Sequence, residues 1–132
     1  MDRRKFLASA GAVAVSVTAG GARAAIGAND KIGLAAIGVR NMGWADLSSA
    51  MATNGAQLVA IADVDKNVLE RRGAEAAKKF GSKPALYSDY RKVLERKDVD
   101  AVIIGTPDHW HCLQFSDACA AGKDAYDEKP IA

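Results

Sequence analysis

The chain has 132 residues, with 18 Lys and Arg against 16 Asp and Glu for a formal charge of +2. Arg3, Arg4, Lys5 and Arg23 fall in the first 24 positions together with Asp2, so the remainder carries 14 basic and 15 acidic residues, a net −1. That balance excludes a binder of nucleic-acid backbones, which needs clustered cations, and two cysteines exclude a disulfide framework.

Positions 1–24 read as an address. Arg3-Arg4-Lys5 is a basic head, Phe6 to Gly21 is an uncharged run of 16 residues rich in Ala, Gly, Ser and Thr, and Ala22-Arg23-Ala24 is a small-x-small cleavage site. The run is too short and too weakly apolar for a span, which takes roughly 20 residues. Arg3-Arg4 followed by Lys5-Phe6-Leu7 resembles a twin-arginine signal, with Asp2 where Ser or Thr is usual. This implies delivery by the twin-arginine export machinery to the periplasm or beyond, already folded, with no stable membrane span after cleavage. Cys112 and Cys119 agree with folding in a reducing compartment: seven apart on one predicted helix, they lie about 10.5 Å apart along its axis and are expected to be free thiols.

After a linker at positions 25–31, buried apolar runs alternate with amphipathic stretches, the pattern of a parallel sheet covered on both faces. Strands are expected at Ile32 to Ile37, Gln57 to Ala62, Ala85 to Tyr87, Ala101 to Gly105 and Asp124 to Asp127. Helices are expected from about Gly43 to Asn54, Lys66 to Phe80, Asp89 to Arg96 and His109 to Ala121, with Gly55, Gly81 and Gly122 as left-handed stops. The fold class is α/β, a doubly wound, Rossmann-like parallel sheet over positions 32–132. A chain stopping just after the fifth strand, two residues beyond a strand-end motif, is expected to be part of a longer protein.

Gly38-Val39-Arg40-Asn41-Met42-Gly43 follows the first strand and opens the first helix. It is a dinucleotide fingerprint with Arg40 in place of the middle glycine. Gly38 allows the tight turn, Gly43 allows close packing of helix on strand, and the helix start offers amides to a pyrophosphate. Arg40 either swings outward to pair with phosphates or weakens binding. Asp63, 20 residues after Gly43, sits where an acid accepts hydrogen bonds from the adenosine ribose, which favours NAD over NADP; a plain strand-end turn is the bland reading, and Asp65 or Lys66 can cap the next helix.

Asp108 and Pro107 read as cap and turn ahead of the fourth helix. His109-Trp110-His111-Cys112 does not suggest a metal, since residues two apart at a helix start point in different directions. Trp110 reads as packing ahead of stacking. Lys129, after a strand taken as short and buried and before Pro130, is the first candidate for chemistry: partial desolvation suits a lysine to moving a proton at a substrate hydroxyl. A solvated surface charge is the ordinary alternative. Glu128 can pair with Lys129 or meet the nicotinamide end of a cofactor.

These residues resemble a known family. Ala62-Asp63-Val64-Asp65, Asp98-Val99-Asp100-Ala101-Val102-Ile103-Ile104, Thr106-Pro107-Asp108-His109-Trp110-His111, Ala121-Gly122-Lys123-Asp124 and Glu128-Lys129-Pro130 are similar to the cofactor domain of the glucose-fructose oxidoreductase, inositol dehydrogenase and rhizopine-catabolism (Gfo/Idh/MocA) family. The resemblance implies that Gly38, Met42 and Gly43 line the pyrophosphate, Asp63 the ribose, Thr106, Pro107 and His111 the middle of the cofactor, and Glu128 the nicotinamide, with Lys129 catalytic or close to it. Arg40 and Asp127 depart from the family's usual glycine and cysteine. The family's second, α+β domain, which carries substrate groups and the surface for any homo-oligomer, is expected to lie outside this chain. The resulting expectation is the cofactor-binding part of an NAD-dependent oxidoreductase acting on a sugar, cyclitol or related polyol. The alternatives are an NAD-dependent glycosidase and a non-catalytic NAD-binding or sensing module.

Overall fold

The computed structural model describes residues 31–131, so the leader expected at positions 1–24 lies outside the described residues. Ile32–Ile37 (β1) is a run of apolar and small residues with nearly all of its length buried, and it takes the centre of the sheet. Ala56–Ala62 (β2), Ala85–Tyr87 (β3), Ala101–Ile104 (β4) and Asp124–Asp127 (β5) join it in the order β3-β2-β1-β4-β5, every pairing parallel. Because a strand's side chains alternate between faces, β1 sends Leu34 and Ala36 to one core, and Ala35 and Ile37 to the other. The first core is closed by Asn41–Met51 (α1) and Lys66–Phe80 (α2) through Leu47, Val68, Leu69 and Ala76. The second is closed by Tyr90–Leu94 (α3) and Asp108–Ala120 (α4) through Tyr90, Val93, Leu94 and Ala118. Among the described residues, no helix is long and apolar enough to cross a membrane.

Registers at the carboxyl edge set up the site. Ile37 is aligned with Ala62 on one side and with Ile104 on the other, Ala62 with Tyr87, and Ile104 with Asp127. The next residues along each strand, Gly38, Asp63, Ser88, Gly105 and Glu128, therefore stand at one level along the edge. The order of strands reverses on either side of β1, which is where an open α/β sheet forms its ligand crevice.

Several expectations change. Gly81 and Gly122 have the positive φ of a left-handed stop, at 68° and 71°, but Gly55 does not: α1 already ends at Met51, and the Gly55 carbonyl accepts a hydrogen bond from the Ile32 amide at 2.8 Å. Asp108 is not a cap, because it is already the first residue of α4; Pro107 holds the cap position, where no side chain bonds back. β5 is not a buried strand. It lies at the edge of the sheet and alternates exposed and half-buried residues, with Tyr126 59% exposed.

Candidate functional site

Three glycines make the joint between the first helix and the sheet. Gly38 turns with φ +78°, and a Cβ there would sit 2.7 Å from Thr106 Cγ2 and 2.8 Å from the Thr106 amide nitrogen. A Cβ on Gly43 would overlap the Gly38 carbonyl, and one on Gly105 would run into Gly43 Cα. Backbone therefore touches backbone where β1, α1 and β4 meet. At the start of α1, Arg40 occupies the cap position with extended backbone and makes no capping bond. The first amides of the helix keep the unmet donors and the positive dipole end that suit an anion.

Asp63 ties the loops after β1 and β2 together. Its Oδ2 accepts from the Val39 amide at 3.0 Å and its Oδ1 from the Asp65 amide at 2.9 Å. A carboxylate has about four acceptor sites, so each oxygen keeps one for a ligand hydroxyl. Asp65 caps α2, with Oδ1 accepting from the Asn67 and Val68 amides at 3.0 and 3.3 Å. The guanidinium of Arg40 turns away from the helix start and pairs with Asp65 Oδ2. That pair braces the two loops. The Val68 amide first, helped by the Asn67 amide and Arg40, holds the Asp65 carboxyl below its usual range against the opposing effect of desolvation.

Between these loops and α4 lies a cleft of about 610 Å³. Gly38, Arg40, Asn41, Met42, Asp63, Thr106 and Pro107 all stand on its walls, and Gly43 lies at the joint beneath. Trp110 also lines the cleft and is 41% exposed, so it is an open aromatic face and not the packing residue expected. Sequence reasoning passed over Gln114, Tyr90 and Arg91, which complete the far wall. Gln114 is 4% exposed and its Oε1 accepts from Thr106 Oγ1 at 2.6 Å, fixing the hydroxyl that faces the cleft. A polar residue on the buried stripe His111, Gln114, Ala118 of α4 was the available signal. Tyr90 donates to Asp117 Oδ2 at 2.6 Å, and burial followed by that carboxylate pushes its hydroxyl up to about 12.

The β5 end differs from the expectation. His111 is 1% exposed and does not reach the cleft; its ring nitrogens lie 2.6 Å from the Thr106 carbonyl and 2.9 Å from the Pro130 carbonyl. His111 therefore stands behind the Thr106 wall and not on the cleft surface. Asp108 is exposed in the first turn of α4, also off the cleft wall. Glu128 is half-buried, and its amide donates to the Ile104 carbonyl at 3.1 Å. Its carboxyl comes close to Asp46 on α1; burial first and Glu128 second raise Asp46 above the ordinary carboxylate value. Lys129 is exposed, so the described residues do not supply the desolvation expected of it. Among the described residues no three His, Cys, Asp or Glu side chains gather as a metal group.

Residues 32–132 match the family described as oxidoreductase family, NAD-binding Rossmann fold. An alpha-N-acetylgalactosaminidase of Shewanella oneidensis is 33% identical over 158 residues, an alignment that takes in 100% of this chain and 34% of the relative. The scyllo-inositol dehydrogenase of Lactobacillus casei, solved with bound cofactor NAD(H) and scyllo-inositol, superposes with a TM-score of 0.66 at 27% identity over 77% of this chain and 29% of that one. A 3-ketoreductase from Actinomadura kijaniata, in complex with TDP-benzene and NADP, gives 0.65 at 29% identity over 77% and 31%. The chain thus spans about a third of the length of the curated relatives it matches.

Proposed function

The chain belongs to the Gfo/Idh/MocA oxidoreductase family and carries its NAD-binding Rossmann domain; from that premise we propose that the whole protein is an exported NAD-dependent oxidoreductase of sugars, cyclitols or related polyols. The glycine joint leaves room for a pyrophosphate against the open amides of α1, which a Cβ at Gly38 or Gly43 would remove. Asp63 offers its two remaining acceptor sites to the ribose hydroxyls, and its charge disfavours a 2′-phosphate. Thr106, Pro107 and the face of Trp110 form the wall along which the cofactor extends. When bound, NAD supplies hydride transfer, net in a dehydrogenase and reversed within one turnover in a glycosidase.

Lys129 takes the proton part. At the carboxyl end of β5 its Nζ projects into solvent, where a substrate held by a further domain would cover it; that covering provides the desolvation an amine needs to accept a proton from a hydroxyl. The observation that carries the reading is the common level of Gly38, Asp63, Gly105 and Glu128 at one edge, which aligns the cofactor groove with the Glu-Lys-Pro segment. Export rests on the Arg3-Arg4 leader, and it pairs naturally with a cofactor carried tightly out of the cytoplasm.

A second reading, an NAD-dependent glycosidase, has a specific observation behind it: the Shewanella relative is named as an alpha-N-acetylgalactosaminidase and aligns with the entire chain. One experiment separates them. The full-length protein, purified from the periplasm, is denatured to identify the released nucleotide, then assayed with free polyols and with aryl glycosides. NADH accumulating on a free polyol, abolished by Lys129→Ala with NAD still bound, supports the dehydrogenase. Free sugar released with no net NADH supports the glycosidase, and no nucleotide on denaturation or titration refutes both.

A further inference from the structure

His111 has a carbonyl oxygen at each ring nitrogen, Pro130 O 2.9 Å from Nδ1 and Thr106 O 2.6 Å from Nε2, in a site where the residue is 1% exposed. Carbonyls only accept hydrogen bonds. Both contacts are bonds only if both nitrogens carry protons; a neutral ring would press a lone pair against one of the carbonyls. A buried cation needs a counter-charge, and the neighbouring strand provides one. The Asp127 side chain is 2% exposed, neither of its oxygens has a hydrogen-bond partner, and Oδ1 lies 3.9 Å from His111 Nδ1. A protonated Asp127 would itself carry a hydroxyl with no acceptor in reach.

The two carbonyls belong to different loops. Thr106 follows β4, and Pro130 directly follows Lys129. We infer that His111 is a doubly protonated clamp with Asp127 as its counter-ion, a positioning pair that fixes the Glu128-Lys129-Pro130 segment against the end of β4. The inference deepens the reading above and rests on it only for what Lys129 does. The ionisable groups that act on the ring are Asp127 on β5 and Asp108 in the first turn of α4; Glu128 on the held segment acts on Asp127, and β4 contributes none.

Burial opposes the charge, but the Pro130 and Thr106 carbonyls, then Asp127 and Asp108, outweigh it and hold the imidazole above its usual 6.5. With the folded value raised, the clamp is fully present below about 6.5 and is lost as pH rises through the folded value. Burial raises the Asp127 carboxyl above its ordinary value, and His111 pulls against that rise.

The test is a titration of the full-length protein with labelled histidine, followed by nitrogen NMR. His111 is assigned by its loss in His111→Gln, with exposed His109 as the internal reference. We expect both His111 ring nitrogens to be protonated at neutral pH. The backbone signals of Glu128 and Lys129 should change with the same midpoint. Asp127→Asn, which keeps the shape, should lower that midpoint by about one to three pH units and bring the alkaline limb of turnover down with it while NAD affinity holds. A singly protonated ring at neutral pH, an unchanged midpoint in Asp127→Asn, or Glu128 and Lys129 signals that ignore the titration would overturn the clamp. Because ring and backbone signals need no turnover, failure of every sugar assay would count against the chemistry of Lys129 and leave the clamp decided on its own evidence.

Discussion

The two ends of the carboxyl edge are built on different plans. Around β1 and β2, the loops close on themselves: Asp63 holds Val39 and Asp65, Asp65 holds α2 and Arg40, and three glycines lock α1 to the sheet. Around β4 and β5, the chain emerges from an edge strand whose residues are exposed or half-buried, and one buried histidine ties its end down. The first end is finished within this domain, whereas the second presents an exposed lysine to whatever is brought against it. A cofactor's constant adenosine half and its reacting half ask for that division, since the first needs a fixed cradle and the second must accept a substrate.

Substitutions should expose the asymmetry as a descending series. Gly43→Ala forces backbone apart at the joint and is expected to cost about 3 kcal/mol or more in denaturant unfolding, with loss of NAD binding. Asp63→Ala strands the Val39 and Asp65 amides, for about 2 kcal/mol in the same measurement, and weakens NAD in calorimetric titration. Asp65→Ala removes the α2 cap and frees Arg40, a smaller loss than that of Asp63. Since its folded carboxyl value is lowered, the contribution of Asp65 is present above the usual 3.8 and is lost as pH falls through the folded value; an acid titration of stability that Asp65→Ala left unchanged would contradict the cap. Lys129→Ala, at the open end, should shift stability by no more than about 0.5 kcal/mol while removing turnover. A large stability loss there would erase the contrast between the two ends.

How much of this is legible in the sequence depends on how local each signal is. Ile32–Ile37 and Ala101–Ile104 announce themselves because a strand buried on both faces must be apolar throughout. Asp63 is legible from spacing, but its two amide partners are not, because they lie on loops that only the fold brings together. Asp124–Asp127 is recognisable as a strand but not as an exposed edge, because edge position belongs to the order of the sheet and leaves no mark in four residues. His111 stands in a motif, yet its burial depends on a carbonyl 19 residues further on. The turn of Arg40 toward Asp65 depends on a partner 25 residues away. Trp110 escapes a sequence reading because an aromatic at a helix start says nothing about which side of the helix the sheet covers.

The contact of Gly38, Gly43 and Gly105 also bears on motion. Surfaces that meet main chain to main chain leave no slack for a hinge, so α1 and the ends of β1 and β4 must move as a single piece. If the protein closes over its ligands, the swing belongs to parts outside this joint, and the cradle serves as the anvil against which they shut.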